Sequence, residues 1–230
     1  MKGTAVALTA ERSRFLDFFA LTKPRLNSLT VATAGVGYLL GATSPIDLLM
    51  MLHVLVGSGL VAGGAAAFNQ VAERDIDETM ARTRLRPMPM GRVSANEGRI
   101  FASIFASVGL VILVIGTNVV ATAVAATTLV IYVAIYTPLK RRTPWATIIG
   151  AVPGALPPVI GWTAARGALT VEAWILFSIV FLWQLPHFHA LSWLYRSDFE
   201  KSGLPLPVSY THLRAHETRH DIVCRLLLEK

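Results

Sequence analysis

The sequence predicts an all-α fold, a multi-pass transmembrane helical bundle, on three observations. The first is composition: of 230 residues 53% are hydrophobic and only 15% charged, with mean hydropathy +0.54, where a soluble domain carries about 25% charged residues. The second is six long runs almost free of Asp, Glu, Lys and Arg. The third is the gathering of basic residues on alternate connections between those runs.

The runs lie at roughly 26–42, 46–68 (with Asp47 at its edge), 100–117, 119–138, 145–164 and 173–194. About 20 apolar residues cross the hydrocarbon core, so each run can span. Orientation follows from the charges. Lys2, Arg12, Arg14, Lys23 and Arg25 precede the first span. Arg74, Arg82, Arg84, Arg86, Arg92 and Arg99 follow the second, and Lys140, Arg141 and Arg142 follow the fourth. The opposite connections hold only Arg166. This bias puts the N-terminus and both charged connections in the cytoplasm. It also accounts for most of the formal +7 charge and argues against a nucleic-acid role, because the basic residues sit in short connections.

Residues 1–25 read as a cytoplasmic flank without a signal-peptide pattern, and the single Cys224 excludes an internal disulfide framework. Small residues (GSGLVAGGAAAF) suit close helix approach. GAVPGALPPVIGW (150–162) and FLWQLPHFHALSW (181–193) read as spans interrupted by proline, which membrane helices tolerate beside a cavity. Residues 26–208 form the domain. Residues 209–230 are polar and read as an unrelated tail resembling translated adapter DNA, so His212, His216 and His220 are not taken as a metal stripe.

The charged mouth of the second span carries the chemistry. FNQVAERDIDETMARTRLRPMPMGRVS (68–94) packs four carboxylates and five arginines beside an apolar run. Asn69, Glu73 and Asp77, spaced by four, share one face if the helix continues, with Asp75 and Glu78 flanking. Such oxygens suit a hard cation, since Mg²⁺ is bound by one or two carboxylates together with substrate phosphate and waters. Arg82, Arg84, Arg86 and Arg92 follow, and guanidinium forks match phosphate oxygens. The plain alternative is a solvated connection with helix-capping ion pairs. Two further mouths weigh against it: YTPLKRR (136–142) and YRSDFEKSGLPLPV (195–208), with Tyr136, Lys140, Arg141, Asp198 and Glu200. Positive-inside bias explains the bases but not the acids.

NQVAERDIDETMARTRLRP resembles the asparagine-and-acid motif of the UbiA-type intramembrane prenyltransferases. The ordered set LTKPRLNSL (21–29), YTPLKRRTPWATIIGAVPGALPPVIGW (136–162), WQLPHFHALSW (183–193) and DFEKSGLPLPV (198–208) is most similar to the branch that farnesylates haem. The resemblance implies a bundle of nine spans around a cavity, of which about six are present here. It also implies transfer of a farnesyl group from farnesyl diphosphate to a vinyl group of haem b, with water added, in the cell inner membrane. A haem A synthase would then act downstream.

By the same resemblance Asn69, Glu73, Asp77 and Asp198 hold Mg²⁺ on the diphosphate. Arg82, Arg86, Lys140 and Arg141 neutralise the leaving group, and Tyr136 donates a hydrogen bond. His187 and His189 are haem-contact candidates, with helix packing as the alternative, and His53 is a weaker one. Trp162, Trp183 and Trp193 read as packing or interface residues. Only Asp198 clearly matches the second acidic motif, which leaves a second metal position open. Prenylation of an aromatic quinone precursor is the competing enzyme reading, and it leaves WQLPHFHALSW without a use. A transporter or channel would place acids or bases within the spans and leave the Arg-Thr-x-x-Arg-Pro stretch unexplained.

Overall fold

A computed structural model describes residues 14–196. Among these the order is α1 (Arg14–Leu21), α2 (Pro24–Gly41), α3 (Leu48–Thr79) and α4 (Ala95–Gly116). Next comes α5 (Val119–Val130), which runs through a π-helical turn (Ile131–Tyr136) into α6 (Thr137–Leu139). The last are α7 (Ala146–Ala155), α8 (Pro157–Arg166) and α9 (Val171–Leu194). Asp198 and residues 209–230 lie outside the described residues.

Local chemistry starts the helices. The Asp47 side chain accepts from Met50 N at 2.9 Å at the head of α3, while Tyr38 Oη donates to Asp47 O at 2.8 Å and ties that start to α2. Ser94 and Glu97 close a reciprocal capping box on α4, which satisfies two otherwise orphaned N–H groups. Asn118 caps α5 through Ala121 N at 2.9 Å. Its amide also donates to Thr163 O and Ala164 O at 2.9 and 3.0 Å, so one side chain both starts α5 and fastens α8.

Small residues set the crossings. A Cβ on Gly161 of α8 would stand 1.9 Å from Ala34 O of α2, and one on Gly109 of α4 would stand 2.7 Å from Gly57 O of α3. Backbones meet there because no side chain intervenes. The core is Val61, Leu113, Val124, Leu156, Val159, Ile160 and Trp162, contributed by α3, α4, α5, α8 and the bend before α8. Ile115, Ile175 and Ile179 point outward, as lipid-facing positions do.

Five helical stretches are long and apolar enough to cross a membrane: Leu48–Thr79, Ala95–Gly116, Val119–Leu139, Ala146–Arg166 and Val171–Leu194. The sequence predicts about six. The remaining one, α2, forms and packs between α3 and α8, but Arg25, Asn27, Ser28, Thr30 and Thr33 keep it below that apolarity. The proline expectation also divides. Ala146–Arg166 does break, at Leu156, where Pro153, Pro157 and Pro158 remove neighbouring N–H donors. Val171–Leu194 stays one helix with Pro186 inside it, because one proline forfeits only one ladder bond.

Candidate functional site

The second apolar run does not stop at residue 68. α3 continues as helix to Thr79, so Asn69, Glu73 and Asp77 do share a face, and that face is buried, with exposures of 2, 5 and 1%. Buried polar groups require partners, and here the partners come from three other parts of the chain.

Asn69 Oδ1 accepts from Lys23 Nζ at 3.1 Å, and its amide donates to Thr137 Oγ1 at 3.4 Å. Glu73 takes Lys140 Nζ on both oxygens, at 3.0 and 3.2 Å. Asp77 Oδ2 takes Arg86 at 2.6 Å. Both ion pairs are largely covered. Such pairs rarely add net stability over an apolar replacement, yet losing one partner strands a buried charge.

Thr137 reaches Asn69 because of the π-helical turn. An i→i+5 turn holds one residue more than its α counterpart, and such turns favour functional sites. Thr137 N and Oγ1 both return to Tyr132 O, the hydroxyl at 2.8 Å. Tyr132 and Tyr136 stand with ring centroids 5.3 Å apart, and Tyr136 packs on Gly150, where a Cβ would meet its ring at 2.5 Å.

The 80–94 connection folds over the rim instead of trailing into solvent. Thr83, fully buried, donates to Asp77 O at 2.8 Å. Met80 and Met88 are buried beside it. Arg92 pairs with the buried Asp17 of α1 at 3.0 Å, and Gln70 donates to Leu21 O at 2.7 Å, so α1 is held down as well. Arg82 is exposed and lies over the Tyr195 ring, 5.5 Å from its centroid, at the end of α9 that leads toward Asp198. Arg141 donates to Ala72 O at 2.7 Å.

Sequence reasoning named the acids but missed Lys23, Gln70 and Thr137. The Lys23–Pro24 pair marks a helix start but gives no sign of the left-handed turn that brings Lys23 to the rim. Burial, and then the Arg86 guanidinium, pull the Lys23 ammonium down to about 8, with Lys140 adding to that and Glu73 and Asp77 opposing it.

The histidines are placed differently. His187 is exposed and stacks on Trp183 of its own helix, with centroids 4.9 Å apart and planes 13° apart. His189 Nδ1 bonds Leu185 O at 2.7 Å, also within α9. His53 bonds Leu49 O at 2.7 Å near the far end of α3 and packs on Gly116. Neither α9 histidine joins the rim network.

Among the described residues no three His, Cys, Asp or Glu side chains converge on a metal. The donor chemistry of the rim nevertheless fits Mg²⁺. Two carboxylates and one amide oxygen, all hard donors, lie along one face, each already accepting from an N–H donor that a cation would replace. Mg²⁺ commonly takes one or two carboxylates and completes its shell with phosphate and water.

Residues 30–223 match the UbiA prenyltransferase family. The chain is 45% identical over 202 residues to the protoheme IX farnesyltransferase of Solibacter usitatus (strain Ellin6076), covering 84% of this chain and 69% of the relative. It is 44% identical over 208 residues to the protoheme IX farnesyltransferase of Koribacter versatilis (strain Ellin345), covering 89% and 67%. Among solved structures, a UbiA homologue from Archaeoglobus fulgidus bound to GPP and Mg²⁺ superposes with TM-score 0.70 at 17% identity, covering 91% of this chain and 73% of that one. A digeranylgeranylglyceryl phosphate synthase gives 0.71 at 20% identity, covering 84% and 68%. At those identities the structures speak to the fold alone.

Proposed function

The chain belongs to the UbiA prenyltransferase family, and on that premise we propose that it transfers a farnesyl group from farnesyl diphosphate to a vinyl group of haem b. Water adds in the same overall reaction, and the products are haem O and diphosphate. The carrying observation is the buried α3 face of Asn69, Glu73 and Asp77, matched by Lys23, Lys140 and Arg86 from three separate elements. The choice of haem as acceptor is supported by the naming of the relatives at 45 and 44% identity.

Breaking the allylic C–O bond leaves its electron pair on diphosphate and positive charge on farnesyl. Cations fixed where that anion develops lower the barrier by about 3 kcal/mol per well-placed donor. Lys140, Arg86, Arg82 and Arg141 are the residues proposed to bind the diphosphate oxygens, with Tyr136 beside them. Asn69, Glu73, Asp77 and Asp198 would hold Mg²⁺, which when bound supplies further positive charge against the leaving group. The apolar bundle below the rim excludes water from the farnesyl cation until the haem vinyl captures it.

His187 and His189, both exposed on α9, are proposed to contact haem. The charged rim faces the cytoplasm and the chain lies in the cell inner membrane, as the positive-inside distribution supports. A haem A synthase would consume the product.

The test supplies haem b, farnesyl diphosphate and Mg²⁺ to membranes carrying the full chain, with haem O detected by mass. Product that depends on Asp77 supports the reading. No product, or product undiminished in Asp77→Asn, removes it.

A further inference from the structure

The short helix α1 is built the wrong way round for water. Its eight residues, RFLDFFAL, turn Asp17 and Leu21 into the bundle, where both are buried, and Phe18 packs beside Leu21. Phe15, Leu16 and Phe19 stand on the opposite side, 73, 51 and 50% exposed. The two rings on that side stack, with centroids 6.3 Å apart and planes 7° apart. A helix whose outer face meets water points its carboxylate out and its aromatic rings in. A contiguous apolar face of this kind marks a binding surface.

The contacts of α1 fix its depth. It runs alongside the start of α4 in the same direction. Arg14 pairs with Glu97, Phe18 meets Phe101 with ring centroids 5.3 Å apart, and a Cβ on Gly63 of α3 would touch both Thr22 and Phe105. The charge-free run of α4 begins at Ile100. The first turn of α1 is therefore level with the charged start of α4, and its second turn is level with the apolar span. Ile100 and Ile104, beside Phe101 on α4, are exposed, as are Leu26 and Leu29 of α2. The outer face of α1 thus extends the lipid-facing surface of the spans up to the charged rim.

The inner face of α1 holds the connection that covers the rim. Asp17 Oδ1 accepts from Arg92 Nε at 3.0 Å, and Leu21 packs with Met88 and Val93. All three of these partners belong to the 80–94 connection, which is fastened over Asp77 through Thr83.

We propose that α1 is an interfacial lipid-binding helix, seated by Phe15, Leu16 and Phe19 at the boundary of headgroups and acyl chains, and that Asp17 carries this anchorage to the 80–94 connection. The partner is the phospholipid bilayer. Aromatic and aliphatic side chains hold that boundary by the apolar area they bury there. The Asp17–Arg92 pair then makes the position of the cover depend on the seat of the helix.

The test uses the full chain in nanodiscs of phosphatidylcholine and phosphatidylglycerol, with Cys224→Ser and a nitroxide attached at Leu16→Cys. Power saturation with oxygen and with a water-soluble nickel chelate reads the depth of the label. Oxygen should relax it strongly and nickel weakly. Strong relaxation by nickel would put α1 in water. Protection from both would mean that protein covers the face, whether a second copy or another segment of chain. Either result overturns the proposal. Phe19→Cys serves where Leu16→Cys does not fold.

The anchorage is read by trypsin, as the fragment ending at Arg84, which is exposed on the connection. Phe15→Ser with Phe19→Ser should speed that cut about tenfold, while the cut after Arg142, also exposed, keeps its rate. Asp17→Asn should speed the cut at Arg84 likewise and leave the depth of the label unchanged. Asp17→Asn with Arg92→Gln serves where Asp17→Asn alone does not fold. A rate at Arg84 within twofold of the unsubstituted chain in either variant would overturn the proposal, and so would equal acceleration at Arg142.

Discussion

The rim of α3 and the last turns of α9 both carry polar residues beside apolar spans, and they satisfy them in opposite ways. Asn69, Glu73 and Asp77 are bonded to Lys23, Thr137, Lys140 and Arg86, all on other elements. His187 and His189 find their contacts within their own helix, against Trp183 and Leu185. A network that joins four parts of the chain is fixed in geometry, as stabilising a developing charge requires. A histidine held by its own helix and exposed remains available to a ligand. On the proposed reading, leaving-group chemistry belongs to the rim and acceptor contact to α9.

The strongest way to break this division is at the acids. Glu73→Gln with Asp77→Asn should lower turnover by more than about 10³-fold, read as haem O formed per minute at saturating Mg²⁺. Next comes the support of one acid. Lys140→Met strands Glu73 in a buried site and should cost about 3 to 5 kcal/mol of stability, read by thermal unfolding in detergent. Adding Glu73→Gln to that variant should return most of the stability without returning activity, which separates the pair's structural role from its chemical one.

A smaller effect tests the other side of the comparison. His187→Phe preserves the stack on Trp183 and should raise the haem KM about tenfold, or about 1.4 kcal/mol, while binding of farnesyl S-thiolodiphosphate, which resists ionisation, stays unchanged. The smallest is His189→Phe, expected to raise the haem KM about threefold, because Nδ1 of that ring is already bonded to Leu185 O and only Nε2 is left to a ligand. A fall in diphosphate affinity in either histidine variant would contradict the division.

The spans and the acid face were legible because apolar runs and four-residue spacing are local properties. Neighbours are not local. Ala146–Arg166 and Val171–Leu194 have the same mean hydropathy, yet the apolar window of the first is 67% buried and that of the second 11%. Gly, Ala and Pro on α7 and α8 admit close backbones. Gly161→Ala should accordingly destabilise the α2–α8 crossing by about 1 to 3 kcal/mol, since its methyl would meet Ala34 O.

The π-helical turn was invisible because IYVAIY reads as any other helical stretch. Lys23 was visible only as one more basic flank residue. Its role at the rim depends on a left-handed turn and on α3 arriving opposite, neither of which the run LTKPR states. The 80–94 connection reads as polar and solvated, but Met80, Thr83 and Met88 are buried because it folds back over Asp77.

The central claim is that the buried face of α3 holds a divalent cation against the diphosphate. The most direct measurement is phosphorus electron–nuclear double resonance on the full chain with Mn²⁺ in place of Mg²⁺ and farnesyl S-thiolodiphosphate bound. A phosphorus coupling should appear and should vanish when Glu73→Gln and Asp77→Asn are combined. The same coupling, undiminished in that double variant, would contradict the claim.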